Sequence, residues 1–342
     1  MPRASNKPPT IALIGCGAIS EALHLPGLLR HPEVRSRLIL VDPATDRTAE
    51  LAERHGIADV CADYREILDR IDGAVVAVPP HLHHPVSLAC LNHGAAVLCE
   101  KPLCEDAQLA GELVEAAERA GVALAVNQTR RLFPANRQIR ESLAAGVIGR
   151  PARIVYEMGE PFEWPAVSDS YFGAKGSDKG VLLDTGAHIV DLVTWWLGGK
   201  PRLTRYRDDS FGGTEAVAAI ELEREGCRAS IRLSWLSKLS NAYRIEGERG
   251  SIEGEVYDWA SFIQRSADGK ARRVRTDDRP KGFEDFGHRL IDNFVDVLTN
   301  GAEPLVSGRD VLPSIEVIDA CYARRERFDL PWLAVGERAA HG

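Results

Sequence analysis

The sequence predicts two halves of different class. An α/β half is built as a doubly wound parallel sheet, and an α+β half follows on a mostly antiparallel open sheet. Three observations predict this. Short apolar runs alternate with helical stretches up to residue 128. A glycine-rich turn, GCGAIS, joins the first run to the first helix. Beyond residue 150, strand-like alternation returns repeatedly between polar or glycine turns. Domains are therefore expected at 1–128 and 129–342.

Size and composition set bounds. A chain of 342 residues, 44% hydrophobic and 27% charged, has room for about two ordinary globular domains. A net charge of −8 argues against binding a phosphate backbone, so no nucleic-acid partner is expected. No apolar run approaches the ~20 residues needed to span a bilayer, so no membrane partner is expected. The opening MPRASNKPPT has no apolar core, and no secretory signal is expected from it. The seven cysteines are scattered without a CxxC pair, which suits reduced thiols and a cytoplasmic location. Cys99 and Cys104 read as packing residues.

In chain order, residues 10–14 (TIALI) make a buried strand, and GCGAIS follows at once. Gly15 supplies a tight turn. Gly17 lets the backbone approach a pyrophosphate at a helix N-terminus, with Ala18 and Ile19 completing the loop. Ser20 stands where a third glycine is usual. The second run, RLILVD, ends at Asp42, 25 residues after Gly17 (42 − 17 = 25). A carboxylate there suits the ribose hydroxyls and repels a 2′-phosphate, so NAD is expected and NADP stays possible because Arg47 is close.

The alternation continues. LAERHG and DYREILDR read as helical, GAVVAVPP as the third strand, HHPVSLACLNHG as a helix, and AAVLCEKPL as the fourth strand with its loop. QLAGELVEAAERAG is a helix stopped by Gly121, and VALAVNQ is the fifth strand. A ligand belongs beyond the C-terminal strand ends. Gly15, Gly17, Asp42, Pro79, Pro80, His84, Glu100, Lys101 and Asn127 all fall there. The run His81-Leu82-His83-His84 lacks further ligands at metal spacing, so no metal is expected. His81 and His83 read as solvated, and His84 as opening a helix near the nicotinamide.

Residues 184–191 (DTGAHIVD) place Asp184, His188 and Asp191 on one helix face, flanked by apolar residues that bury the helix. An imidazole and a carboxylate on such a face are the parts of a proton-transfer site. A long segment before it carries Phe162, Trp164, Tyr171 and Phe172 among Glu160, Glu163, Asp169 and Lys175. Aromatics there suit a sugar face, or packing against a neighbouring subunit.

These motifs carry a resemblance. GCGAIS, AVVAVPPHLHH, VLCEKPL, NQTRRLFPANRQIRESLAAGVIGRP, GVLLDTGAHIVDLVTWWLGG and VSGRDVLPSIEVIDACYA stand in the order and spacing of the Gfo/Idh/MocA oxidoreductases, which the chain resembles over nearly its whole length. The resemblance implies a Rossmann domain, then an open-sheet domain with substrate residues, whose last helix returns to the domain junction. It implies an NAD(P)-dependent oxidoreductase acting on a sugar, polyol or sugar derivative, assembled as a dimer or tetramer through the C-terminal sheet. Lys101 matches the family's EKP lysine, and Asp184 and His188 match its aspartate and histidine. Arg131 falls near its Arg-Phe-x-Pro segment, with Leu132 intervening here. The run Ser177-Asp178-Lys179-Gly180 replaces glycines common before the aspartate.

Oxidising a secondary alcohol removes a proton from oxygen and a hydride from carbon. His188 is the expected general base and Lys101 the donor to the substrate oxygen, although a desolvated lysine can also serve as base. Asp184 binds a neighbouring hydroxyl or holds the catalytic group. Arg131, Trp164 and Tyr171 join these three as expected substrate contacts. A glycosidase using NAD transiently, a nucleotide-sugar ketoreductase and a non-catalytic dinucleotide sensor are the alternatives. TEAVAAIELE, CRASIRLSWLS, AYRIEG and GSIEGEVY supply further strands, FEDFGHRLIDNFVDVLTNG a helix ended by Gly301, and LVSGRDVLPSIEVIDACYARR a last helix with Pro313 in its first turn.

Overall fold

The computed structural model describes residues 8–163, 179–210 and 214–329. The first sheet contains β1 (Ile11–Ile14), β2 (Leu38–Val41), β3 (Asp59–Cys61), β4 (Gly73–Val76), β5 (Ala96–Cys99) and β6 (Leu124–Val126). Their order is β3-β2-β1-β4-β5-β6, and every pair is parallel. Strands β1, β2, β4 and β5 are buried at every position, as four-residue apolar runs covered on both faces must be. The order reverses between β1 and β4, so the crevice lies beyond Ile14 and Val76.

Helices α1 (Leu25–Leu29), α2 (Pro32–Arg35), α3 (Thr45–His55), α4 (Pro80–Asn92) and α5 (Ala107–Ala120) connect these strands. Gly56 and Gly121 end α3 and α5 in the left-handed conformation, at φ 67° in both. Two expectations need correction. Strand β3 is a sixth, edge strand that the apolar pattern hides, because its three residues are only half-covered. DYREILDR forms two single 3₁₀ turns, Tyr64–Glu66 and Leu68–Arg70, instead of a helix. Eight residues are too few to sustain a helix alone, and Ile67, Leu68 and Ile71 are held in the core instead.

The second sheet runs β14-β13-β12-β11-β7-β10-β9-β8-β15. Its strands are β7 (Pro151–Gly159), β8 (Arg202–Asp208), β9 (Val217–Arg224), β10 (Cys227–Ser234), β11 (Ala242–Gly247), β12 (Gly250–Glu255), β13 (Ser261–Ser266), β14 (Ala271–Arg275) and β15 (Glu326–Arg327). Only the β7–β10 and β8–β15 pairs are parallel. Strands β8, β13, β14 and β15 were not expected, because arginines and other polar residues on their outer faces mask the alternation.

Helix α6 (Pro134–Ala144) links the halves, and α7 (Val181–Trp196) packs on the inner face of the second sheet. The Trp196 ring meets Tyr156 and Tyr243 there. Helix α8 (Glu284–Asn300) stops at Gly301 as expected. Helix α9 (Gly308–Ala323) returns to the junction, touching α5 on one side and α7 on the other. It starts with a Ser307/Asp310 capping box, which places Pro313 in its second turn and not its first. No helix among the described residues is long and apolar enough to cross a membrane.

Candidate active site

The glycine loop is shaped for close approach. Gly15 adopts φ +95°, and a Cβ there would lie 2.4 Å from the Ala77 carbonyl oxygen. At Gly17 a Cβ would meet nothing within 4 Å, which leaves open space above the backbone. Ala18 and Ile19 are half-exposed on the same loop. The Ser20 hydroxyl donates to the Gly15 carbonyl at 2.5 Å, so the serine closes the loop from inside. The following turn, Ser20–His24, is a π-helix. Asp42 stands past the end of β2, where its carboxylate accepts from the backbone N–H of Cys16 and of Ala44. Arg47 is held by the Cys16 carbonyl and Glu21, so its charge is already partnered.

Past β5, Glu100 points inward. It accepts from Asn127 Nδ2 at 2.5 Å, contacts His24 Nε2 at 2.8 Å, and accepts from the Lys101 backbone N–H at 3.1 Å. Burial pushes its carboxyl up, but His24, Asn127 and Lys101 together outweigh burial and hold it below the usual range. Glu100 therefore anchors the Lys101 loop and Asn127. His24 was not singled out from sequence. The Asn127 Oδ1 atom is buried with no hydrogen-bond partner among the described residues. An unsatisfied buried acceptor at a strand end, with open space at Gly17 and a carboxylate at Asp42, fits a dinucleotide. Pro79 and Pro80 open α4 beside this crevice.

The histidine run divides differently from expectation. His83 is 1% exposed, with its ring nitrogens 2.6 Å from the Pro102 carbonyl and 2.8 Å from the Val78 carbonyl. It ties the β4 turn to the Lys101-Pro102 loop, and it is not solvated. One residue on, the helical rotation carries His84 over α5, where it pairs with Glu112 at 3.1 Å.

Helix α7 presents Asp184, His188 and Asp191 along one seam, and Lys101, Gln128 and Arg131 face them in order. Lys101 Nζ lies 2.5 Å from Asp184 Oδ1. His188 Nδ1 lies 3.1 Å from Gln128 Oε1. The Gln128 amide nitrogen donates to the Ala187 carbonyl at 3.1 Å, which can only accept. That bond fixes the amide, so Nδ1 of His188 carries the proton and Nε2 keeps its lone pair. Burial, then the charges of Lys101 and Arg130, push the His188 pKa well below its usual value, so the ring is neutral at neutral pH.

Asp191 has another task. It receives both arms of Arg131 at 2.7 Å, and Arg131 also donates to the Asp310 carbonyl at 2.9 Å. Ser314 of α9 donates to the same carboxylate at 3.1 Å. Arg131 is therefore a buried strut that ties the turn Thr129–Leu132 to α7 and the start of α9 through Nε and Nη2. Its neighbour Arg130 is half-buried against Met158, close enough for its charge to act on His188.

The N-terminus of α7 is capped from a distance. Glu215 Oε1 accepts from the N–H of Gly180 and of Leu182, and the Glu215 carbonyl accepts from that of Val181. Tyr322 and Arg325 hold the same carboxylate from the far side. Gly180 is required, because a Cβ there would lie 1.9 Å from the Glu215 carbonyl oxygen. Trp235 donates to Thr185 Oγ1 at 3.1 Å and packs on Phe162. Gln128, Arg130, Glu215 and Trp235 were all missed from sequence. For Gln128 the signal was its place beside Asn127 at a strand end; the others had none. Trp164 and Tyr171 lie outside the described residues.

Comparison with known proteins agrees with this architecture. Residues 10–128 match an oxidoreductase family with an NAD-binding Rossmann fold, and residues 136–253 match the GFO/IDH/MocA C-terminal domain. A 1,5-anhydro-D-fructose reductase of Ensifer adhaerens is 31% identical over 63% of this chain and 67% of its own. An inositol 2-dehydrogenase of Saccharopolyspora erythraea is 27% identical over 91% of both chains. The crystal structure of a 3-ketoreductase from Actinomadura kijaniata, in complex with NADP and TDP-benzene, superposes with a TM-score of 0.80 at 23% identity, covering 95% of this chain and all of that one. With both domain signatures present and the dinucleotide crevice formed, the chain belongs to the Gfo/Idh/MocA family of NAD(P)-dependent oxidoreductases.

Proposed function

We propose that this chain is an NAD-linked dehydrogenase of a secondary alcohol on a sugar, cyclitol or sugar derivative. The observation that carries the reading is the meeting of Lys101, Asp184 and His188 at the open end of the parallel sheet. The sugar and polyol names among the relatives support the substrate class. The cofactor accepts or returns a hydride.

The protein handles the proton. Neutral His188, oriented by Gln128, takes the hydroxyl proton at Nε2. Lys101 donates from Nζ to the same oxygen and stabilises the charge developing there. Asp184 holds that ammonium in place and offers its second oxygen to a neighbouring hydroxyl. The pairing of Lys101 with Asp184 favours this assignment over one in which lysine is the base. Asp42 supports NAD over NADP, and the partnering of Arg47 removes the nearest cation from a 2′-phosphate. Division of the chain at residues 128 and 129, and self-association through the open face of the second sheet, belong to the same reading.

A panel of sugars, cyclitols and nucleotide sugars with NAD and NADP, read by absorbance of the reduced nicotinamide, tests it. We expect net NADH formation with at least one polyol. A tightly held cofactor with no net NADH from any member, but glycoside cleavage, would contradict it.

A further inference from the structure

Resting on that reading, we infer that Arg130 binds a carboxylate on the substrate, so that the alcohol oxidised here belongs to a polyhydroxy acid. Arg130 lies in the turn Thr129–Leu132, two residues past the Gln128 that orients His188. Its backbone is pinned, because its carbonyl accepts from Asn136 Nδ2 at 2.8 Å and from the Phe133 N–H at 3.3 Å. Its guanidinium is half-buried between soft groups. Nη2 lies 3.4 Å from Met158 Sδ, and the guanidinium carbon sits 5.8 Å from the Phe133 ring centre. Among the described residues no carboxylate pairs with it.

The contrast with the next residue is informative. Arg131 has two carboxylate oxygens and a carbonyl. Arg130 has a thioether and a ring, which leave most of its five donors unmatched. A partly desolvated cation without a counter-ion is costly, and a ligand anion removes that cost. A single guanidinium fork between apolar walls matches one planar carboxylate. A phosphate or diphosphate asks for more positive charge, and the other cation at the site, Lys101, is engaged by Asp184.

The placement also couples binding to chemistry. The charge of Arg130 makes His188 a weaker proton acceptor. A carboxylate on Arg130 neutralises that charge when the substrate arrives, and the imidazole becomes more basic. Facing His188 are Asp184 from its own helix, Lys101 and Gln128 from the first half, and Arg130 from the turn Thr129–Leu132. Of these, Arg130 is the one a substrate acid can neutralise.

The test compares matched pairs on the full-length protein with NAD: aldoses with their uronates and aldonates, and the same aldoses as 6-phosphates. The acid of the productive pair is expected to exceed its neutral partner by about 10²-fold in kcat/KM, mainly through KM. Arg130→Leu should collapse that ratio towards one, and Arg130→Lys should restore part of it. With the acid, the acidic limb of the pH profile should lie at higher pH than with the neutral partner. A preference for the neutral or the phosphorylated member overturns the carboxylate site while the dehydrogenase reading stands. If no pair reduces NAD, titration of uronates and aldonates into the NADH complex decides: Arg130-dependent binding keeps the site and removes the dehydrogenase reading, and its absence removes the site.

Discussion

The two ends of one helix face behave as different materials. At the N-terminal end of α7, Lys101 and Asp184 meet with side chains 16% and 24% exposed. At the C-terminal end, Arg131 and Asp191 meet at 8% and 1%. Both are cation–carboxylate pairs on α7, and both cations come from segments that follow strand ends of the parallel sheet. The sealed pair has two further groups on it from α9, the Asp310 carbonyl and the Ser314 hydroxyl. The open pair faces a crevice and shares it with a neutral imidazole. Helical spacing sets which residues share a face, and the third element packed on that face decides whether they hold structure or do chemistry. Here that element is α9.

The comparison can be broken at its sealed end first. Asp191→Ala leaves Arg131 buried without its partner and should cost about 3–5 kcal/mol in a denaturant titration. A loss near zero would make this pair no more structural than the open one.

The cap sharpens the comparison next. Glu215→Ala removes the side-chain acceptor for the N–H groups of Gly180 and Leu182, and should cost about 2 kcal/mol of stability and lower kcat more than it raises KM for NAD. Glu215→Gln keeps an acceptor and should recover part of both. An effect on stability with kcat untouched would show that the open end does not depend on how the helix is seated.

The smallest expected effect is at Gln128. Gln128→Leu removes the acceptor for Nδ1–H of His188 and should lower kcat about tenfold. The pH profile carries the sign. Because burial and the two cations lower the pKa of His188, the acidic limb of kcat/KM for alcohol oxidation should lie below about 6.5. Activity is then retained as pH falls through neutrality and is lost only when Nε2 protonates. Losing the Gln128 acceptor destabilises the imidazolium and should move that limb further to acid. A limb above neutrality would point to another base.

Much of this was legible before any coordinates. Apolar runs of four residues and the glycine turn marked the parallel sheet, and the spacing of Asp184, His188 and Asp191 marked the seam. Strand β3 and the charged strands β8 and β14 were not legible, because pairing with a neighbouring strand fixes them while much of their own surface stays polar or exposed. Arg130 and Arg131 could not be told apart in sequence, since adjacent residues in a 3₁₀ turn point in different directions and only the position of Asp191 chooses between them. His83, buried where solvent was expected, and its neighbour His84 part in the same way on α4. Glu215 was invisible because a cap supplied from 35 residues away leaves no local signature.

The central claim is that Lys101 and His188 move the substrate proton at the open end of the seam. It is tested most directly by NADH formation from the best substrate of the panel in His188→Ala and Lys101→Met, each first shown to bind NAD normally. The account predicts that turnover falls by about 10²- to 10⁴-fold in both while NAD affinity is unchanged. Near-normal NADH formation in both variants would contradict it.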